Sequence, residues 1–416
     1  MEDRIDNVPN NLEAEEDVSQ YKYSDCGYND GLIRVKGMRN LGNTCYMNAA
    51  LQALLSSNIM NSRIIRYTQN NPGKIAELSP MLFEYVKLIY QLIDSGSNDE
   101  ANASDEARRT MRAMREQQNI IPRDFKICLS KENPRFEGYH QEDSQELIEY
   151  LLSDFIEIPK NLRPESEKNN KAVPTSFTGI RKVLRDTYFG TYRQVIKCRD
   201  CNARKSEVFH HSDIIVPVPP NLLQRNRANI RQHGMILRQP GLPAQPGLPA
   251  QSGLPTQPGL ITIADCFAEY CKTELFDGDN KITCEQCKAR TTSTKRMELE
   301  YVPELTIVTI NRFKAQLTKI QEPIKVFPKI ELDGYPLRLI ATVNHSGSSI
   351  HGGHYTAYVS RSYFDDHGQL QEKWFIADDA SIREIDKRTM LSDTRIYLAI
   401  YERVQAFDDK SSRSNQ

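Results

Sequence analysis

The sequence predicts an α+β fold, with a helical N-terminal half and a mainly β C-terminal half. Three observations carry this. Apolar residues recur at helical spacing from Met47 to Phe155. Strand-like runs gather after Leu305. The two kinds of segment do not alternate, which argues against a parallel sheet built from βαβ units.

The elements follow in chain order. Residues 1–31 hold Glu13, Glu15, Glu16 and Asp17 with few large apolar side chains, and read as an acidic disordered tail. Ordered chain is expected over 32–404. Asn43 to Leu55 reads as a loop running into a helix, with Met47, Leu51, Leu54 and Leu55 at helical spacing. Ser79 and Pro80 form an N-cap and first-turn pair for a helix whose face carries Leu82, Tyr85, Val86, Ile89 and Ile93. Leu147, Ile148, Leu151, Leu152 and Phe155 mark another amphipathic helix. Thr262, with Asp265 three residues later, predicts a capped helix carrying Phe267 and Tyr270. Strands are expected at Leu305 to Phe313, His354 to Ser360, Lys373 to Asp378 and Ile396 to Tyr401. Residues 405–416 are polar again and read as a second disordered tail.

One segment stands apart. Gln239 to Leu260 reads QPGLPA, QPGLPA, QSGLPT, QPGL, a six-residue repeat without charge. Proline removes backbone donors and glycine raises the entropic cost of ordering, so neither a helix nor a central strand can form there. With the polar lead-in from Gln224, residues 220–260 read as one Pro/Gly-rich insertion that leaves the fold on both sides intact. Its extended backbone suits a protein partner.

The chain has 416 residues, 39% hydrophobic and 26% charged, with a formal net charge of -1. That balance fits a globular protein and offers no overall electrostatic case for nucleic acid or an anionic membrane. No run approaches the roughly 18 apolar residues of a membrane span. The polar, acidic start does not read as a secretory signal, so a reducing, intracellular setting is expected, cytoplasm or nucleus. Nine cysteines in such a chain then read as metal ligands, nucleophile or core rather than a disulfide scaffold.

Cys198-Arg199-Asp200-Cys201 and Cys284-Glu285-Gln286-Cys287 are two CxxC knuckles. Two residues between thiolates let both sulfurs reach one tetrahedral ion, and four thiolates close a structural zinc site. Cys201 and Cys284 are 83 residues apart. About half of that gap is the insertion, and closure entropy grows only logarithmically with length. His210 and His211 are alternative ligands that four thiolates make unnecessary. Cys128 reads as core, and Cys266 and Cys271 as packed or partly packed side chains.

Cys45 stands at the apparent start of a helix, where unpaired N–H groups and the helix dipole favour thiolate. Asn40 could donate its amide to an oxyanion. His354 heads a strand after Gly352 and Gly353, which permit close backbone approach by a substrate. The Trp374 to Asp379 run ends in two carboxylates, one of which can accept from the imidazole Nδ1–H and hold its tautomer. From spacing alone, a Cys–His–Asp triad and an unrelated buried cysteine, histidine and solvated acidic turn both remain open.

Gly37 to Asn48 resembles the Cys box of the ubiquitin-specific proteases. His351 to Tyr358 and Trp374 to Asp379 resemble that family's His box. Gln141 to Leu147 resembles its glutamine-rich helix start. Ile310 to Phe313 and Val326 to Pro328 are similar to the strand between, and the CxxC pairs to its zinc-bearing fingers. The resemblance spans about Gly37 to Arg403 with the motifs in order.

The resemblance implies a papain-like cysteine peptidase built as fingers, palm and thumb, with the fingers at about 187–300. It implies cleavage of the isopeptide or peptide bond after the C-terminal glycine of ubiquitin, with ubiquitin and ubiquitinated proteins as partners. Cys45 is then the nucleophile, His354 the base, Asp378 the orienting acid, Asn40 the oxyanion donor and Asp379 a support. Gly352, Gly353 and Tyr355 would line the channel for the substrate tail. Asp143 and Glu146 would meet the arginines of that tail, unless they are only the acids a helix N-terminus favours. Two other readings stay open: a catalytically latent ubiquitin-binding scaffold, and a peptidase for a ubiquitin-like modifier.

Overall fold

Both faces of one large sheet are covered, and that arrangement explains the sequence of its central strands. The computed structural model describes residues 35–71, 73–92, 119–157, 175–224, 260–313, 319–349, 352–364 and 370–404. The expected tails 1–31 and 405–416 lie outside the described residues, as do 225–259 of the insertion and Ile93 and His351 among the residues named above.

Helices fill the first half: α1 (Cys45–Leu54), α2 (Asn58–Asn70), α3 (Lys74–Leu78), α4 (Pro80–Leu92), α5 (Arg123–Glu132), α6 (Ser144–Ile156) and α7 (Thr175–Tyr188). Every residue of α1 is buried, because it packs on α6 on one side and on the large sheet on the other. The expected caps form. Ser79 Oγ accepts from Leu82 N–H at 2.9 Å at the start of α4.

Strands β1 (Gly190–Cys198), β2 (Arg204–His211) and β3 (Asp213–Pro217) follow, then β4 (Ile261–Thr262) and α8 (Ile263–Tyr270). Thr262 and Asp265 close the predicted capping box on α8. Short strands β5 (Glu274–Phe276), β6 (Ile282–Cys284) and β7 (Ala289–Thr291) precede β8 (Ser293–Tyr301) and β9 (Leu305–Asn311). The chain ends through β10 (Ile324–Lys325), β11 (Lys329–Leu332), β12 (Tyr335–Ser349), β13 (Gly352–Phe364), β14 (Leu370–Asp378), β15 (Ser381–Ile385), α9 (Lys387–Ser392) and β16 (Ile396–Arg403).

The large sheet runs β15-β14-β13-β12-β16-β9-β3, with β11 on β12. Its β3–β9 pair is parallel and its other pairs are antiparallel. Along β9, Leu305 and Ile307 enter the core shared with the helices, while Val308 and Ile310 enter a second core with α8. A strand buried on both faces reads as a near-continuous apolar run, as β16 does from Ile396 to Tyr401 and β9 does from Leu305 to Ile310 apart from Thr306 and Thr309. Arg312 ties their ends. Its guanidinium, 1% exposed, donates to the carbonyls of Ile396, Ile320, Glu322 and Thr394 at 2.8–3.1 Å.

A second, antiparallel sheet, β2-β1-β8-β5, projects from the first with the small β6–β7 pair. It spans Gly190 to Tyr301. None of the described helices is long and apolar enough to cross a membrane.

Candidate active site

Two loops meet at the N-terminus of α1. The first runs from Gly37 to Thr44. A Cβ at Gly37 would lie 2.2 Å from Ala380 O, so only glycine allows this chain to touch the β14–β15 hairpin. Met38 N–H donates to Asp379 O at 2.8 Å and fixes the contact. Asn40 then knots the loop: its Oδ1 accepts from Gly42 N–H (2.9 Å), Thr44 N–H (3.1 Å) and the Thr44 hydroxyl (3.2 Å). That turn delivers Cys45 as the first residue of α1, 3% exposed.

The Cys45 thiol is pushed above its ordinary range, first by burial, while N–H groups of Tyr355, Tyr46 and Cys45 itself pull the other way and the Asp379 charge adds to the rise. The helix start thus supplies donors to the sulfur, but in the free protein desolvation outweighs them.

The second loop is the two-residue hairpin between Asp378 and Ser381. Asp379 adopts a left-handed φ of 51°, tolerable for Asp in such a turn. Its Oδ2 accepts from Asn40 Nδ2 at 2.8 Å and its Oδ1 from Asn48 Nδ2 at 2.7 Å. Asp378, closing β14, lies 2.6 Å from His354 on β13. The contact corrects one expectation. The ring meets Asp378 through Nε2 and not Nδ1, because it reaches from β13 towards the end of the neighbouring strand and its tip nitrogen arrives first. His354, Asp378 and Asp379 lie close enough together to hold a cation, but both Asp379 oxygens are already engaged by amides.

The four knuckle cysteines converge at the far end of the second sheet. Cys198 closes β1 and Cys284 closes β6, and each knuckle turns back on itself through Cys198 N–H to Ala203 O and Lys288 N–H to Cys284 O, both 2.9 Å. Sulfurs of Cys198 and Cys287 are 4.0 Å apart, those of Cys201 and Cys284 3.7 Å. Bonds of about 2.3 Å to one tetrahedral ion imply sulfur separations of about 3.8 Å. The protons are divided unevenly: Thr291's hydroxyl, 3.2 Å away, helps bring Cys198 down to about 6, while neighbouring sulfurs, Cys201 foremost, push Cys287 up to about 12. A divalent cation would remove that competition. His210 and His211, at the other end of β2, are not in the cluster.

The model of the ubiquitin carboxyl-terminal hydrolase family matches residues 36–401. This chain belongs to that family. Ubiquitin carboxyl-terminal hydrolase 2 of Bos taurus is 24% identical over 394 residues, covering 88% of this chain and 54% of the relative. The Gallus gallus protein of that name is 25% identical and covers 88% and 92%. Human ubiquitin carboxyl-terminal hydrolase 21 is 23% identical over 416 residues, covering 89% and 61%. The chain spans about half the length of the bovine, rat and human hydrolase 2 relatives. Among solved structures, the SAGA DUB module bound to ubiquitin aldehyde matches with a TM-score of 0.58 at 17% identity, over 89% of this chain and 70% of that one. The α+β fold is the one seen in that deubiquitinase structure.

Two of the residues expected at the substrate channel, Asp143 and Tyr355, are also part of the scaffold. Asp143 is 4% exposed and caps α6: Oδ1 accepts from Gln145 N–H at 2.7 Å, and Oδ2 from the hydroxyls of Tyr397 (2.8 Å) and Tyr355 (3.4 Å). It thus serves as a helix-terminal acid, with both oxygens engaged within the chain. Tyr355 is likewise buried, its ring 4.6 Å from His345. Its backbone N–H bonds to the Cys45 sulfur. Glu146 is partly exposed and pairs with Arg135. Gly352 and Gly353 open β13 and are half-buried. Cys266 is buried, Cys128, expected in the core, is half-buried, and Cys271, expected to be packed or partly packed, is exposed. Asn48 and Gln141 were missed as site residues. Asn48, one turn after Cys45 among apolar neighbours, carried a usable signal as a polar residue on a buried helix. Gln141 was marked only by the resemblance of its stretch to the family's glutamine-rich helix start.

Proposed function

We propose that this chain is a deubiquitinating thiol peptidase that hydrolyses the bond after the C-terminal glycine of ubiquitin. The observation that carries the reading is the 2.6 Å His354–Asp378 pair beside a cysteine at a buried helix start, in a chain of this family. Asp378 holds Nε2, so Nδ1 is the nitrogen that serves the thiol. Burial keeps the Cys45 proton in place until attack, when it passes to His354. Sulfur bonds to the carbonyl carbon, and the developing oxyanion takes the second N–H of the Asn40 amide, whose first is held by Asp379. His354 returns the proton to the leaving amine as the C–N bond breaks. Water, deprotonated by His354, then releases the acyl group from sulfur. Cys198, Cys201, Cys284 and Cys287 hold a structural zinc ion, to which their spacing is suited.

Labelling with a ubiquitin C-terminal electrophile, followed by mass spectrometry, tests this. The adduct is expected on Cys45, and Cys45→Ala should bind ubiquitin without hydrolysing its C-terminal amides. Binding without any adduct in the unaltered chain would favour the latent scaffold. An adduct formed only with a ubiquitin-like modifier would move the substrate to that class.

A further inference from the structure

We propose that Gln141 is a positioning residue for His354: its side-chain amide fixes the backbone of Gly353, and through it the imidazole. The inference rests on the peptidase reading above. Gln141 Nε2 donates to Gly353 O at 2.7 Å, and Gln141 Oε1 accepts from Gly353 N–H at 2.8 Å. One side chain therefore satisfies both polar backbone groups of the residue that precedes the base.

The reason lies in the sheet. β12 and β13 pair at Ser346↔His354 and again at Ser349↔Gly352, with the register broken between. At Gly353 the ladder is interrupted, and the Gln141 amide takes the place of the missing strand partner. On another side, a Cβ at Gly353 would lie 2.2 Å from His345 Nε2 and 2.6 Å from Ser346 O. The chain entering His354 is thus held between β12 and a side chain from the segment leading into α6. Two residues later Tyr355 bonds to Asp143, the cap of that helix. The start of α6 consequently grips β13 on either side of His354, while α1 carrying Cys45 packs against both elements. An amide presents the required donor and acceptor together. An ionised carboxylate offers only acceptors.

That difference supplies the test. A protonated carboxyl has one O–H and one C=O and can restore the pair, so Gln141→Glu should be rescued by acid. The titratable groups around this position are His140, Glu142 and Asp143 in its own segment, His345, which a Cβ at Gly353 would meet, and His354, which follows Gly353 and pairs with Asp378. The neighbouring acids raise the introduced carboxyl's proton affinity. Hydrolysis of a fluorogenic ubiquitin C-terminal amide is measured for the full chain and for Gln141→Ala and Gln141→Glu between about pH 5 and 9. Gln141→Ala is expected to lower kcat roughly 10- to 100-fold with little change in KM, the size expected for a misplaced catalytic group. The activity of Gln141→Glu relative to the unaltered chain should climb about tenfold or more as pH falls. Unchanged kcat in Gln141→Ala, or a pH-independent loss in Gln141→Glu, overturns the proposal. An unaltered chain that does not cleave the amide overturns the peptidase reading and this inference with it.

Discussion

His345 shows how much one buried side chain can decide. It is 1% exposed, its ring tilted against those of Tyr355 and Phe313, and its Nδ1 has no partner among the described residues. Burial first, then Lys319, Arg312 and His354, holds its pKa down at about 4. The unfolded chain binds that proton near 6.5 and the folded chain does not, so folding stability is complete above about 6.5 and falls as pH drops towards 4. The interval corresponds to about 3 kcal/mol. His345→Gln should therefore flatten the decline of unfolding free energy between pH 6.5 and 4, as read from denaturant titrations. Parallel pH curves for both proteins would contradict this. At this scale the sequence is legible through its motifs: Cys45, His354 and Asp378 stand in stretches that resemble the family's Cys and His boxes, and the last two meet at 2.6 Å. It is silent where a role is created by distance. Asn48 earns its place through Asp379, 331 positions away, and Gln141 through Gly353, 212 positions away.

Among elements, those with one clear periodicity or a cap were readable. α4 and α8 announce themselves through Ser79 and Thr262, and β9 and β16 through runs of β-branched, aromatic and other apolar residues. The second sheet was not. β2 is exposed along almost its whole length, so no alternation marks it. β12 was hidden by Pro336, Gly347 and the polar Asn344-His345-Ser346 stretch, which tertiary pairing overrides. With so little core of its own, the outer end of the second sheet depends on its cysteines. The purified protein is expected to carry one zinc per chain, bound by Cys198, Cys201, Cys284 and Cys287, measured by elemental analysis. Cys284→Ser should release it and lower the melting temperature, since structural metal binding contributes directly to folding. Metal-free protein that melts at the same temperature as the zinc-loaded form would refute the assignment.

For the molecule as a whole, the large sheet is the frame, and the helices, the second sheet and the insertion are attached to it. The insertion leaves just after β3 and returns through β4 into α8, which packs back against β3. Both ends are therefore pinned to one place. Replacing Gln239 to Leu260 by a brief Gly-Ser linker should leave turnover of a ubiquitin C-terminal amide within about twofold, because loop length enters stability only logarithmically. A larger loss would mean that the segment reaches the active site. The pinned ends have a hereditary consequence as well. Each QPGLPA unit occupies a whole number of codons, so slippage during DNA replication would add or delete units without shifting the reading frame. Since both ends of the excursion are held, one after β3 and the other by β4 pairing with β10, a change of repeat number would leave the positions at which the chain departs and re-enters the fold unchanged.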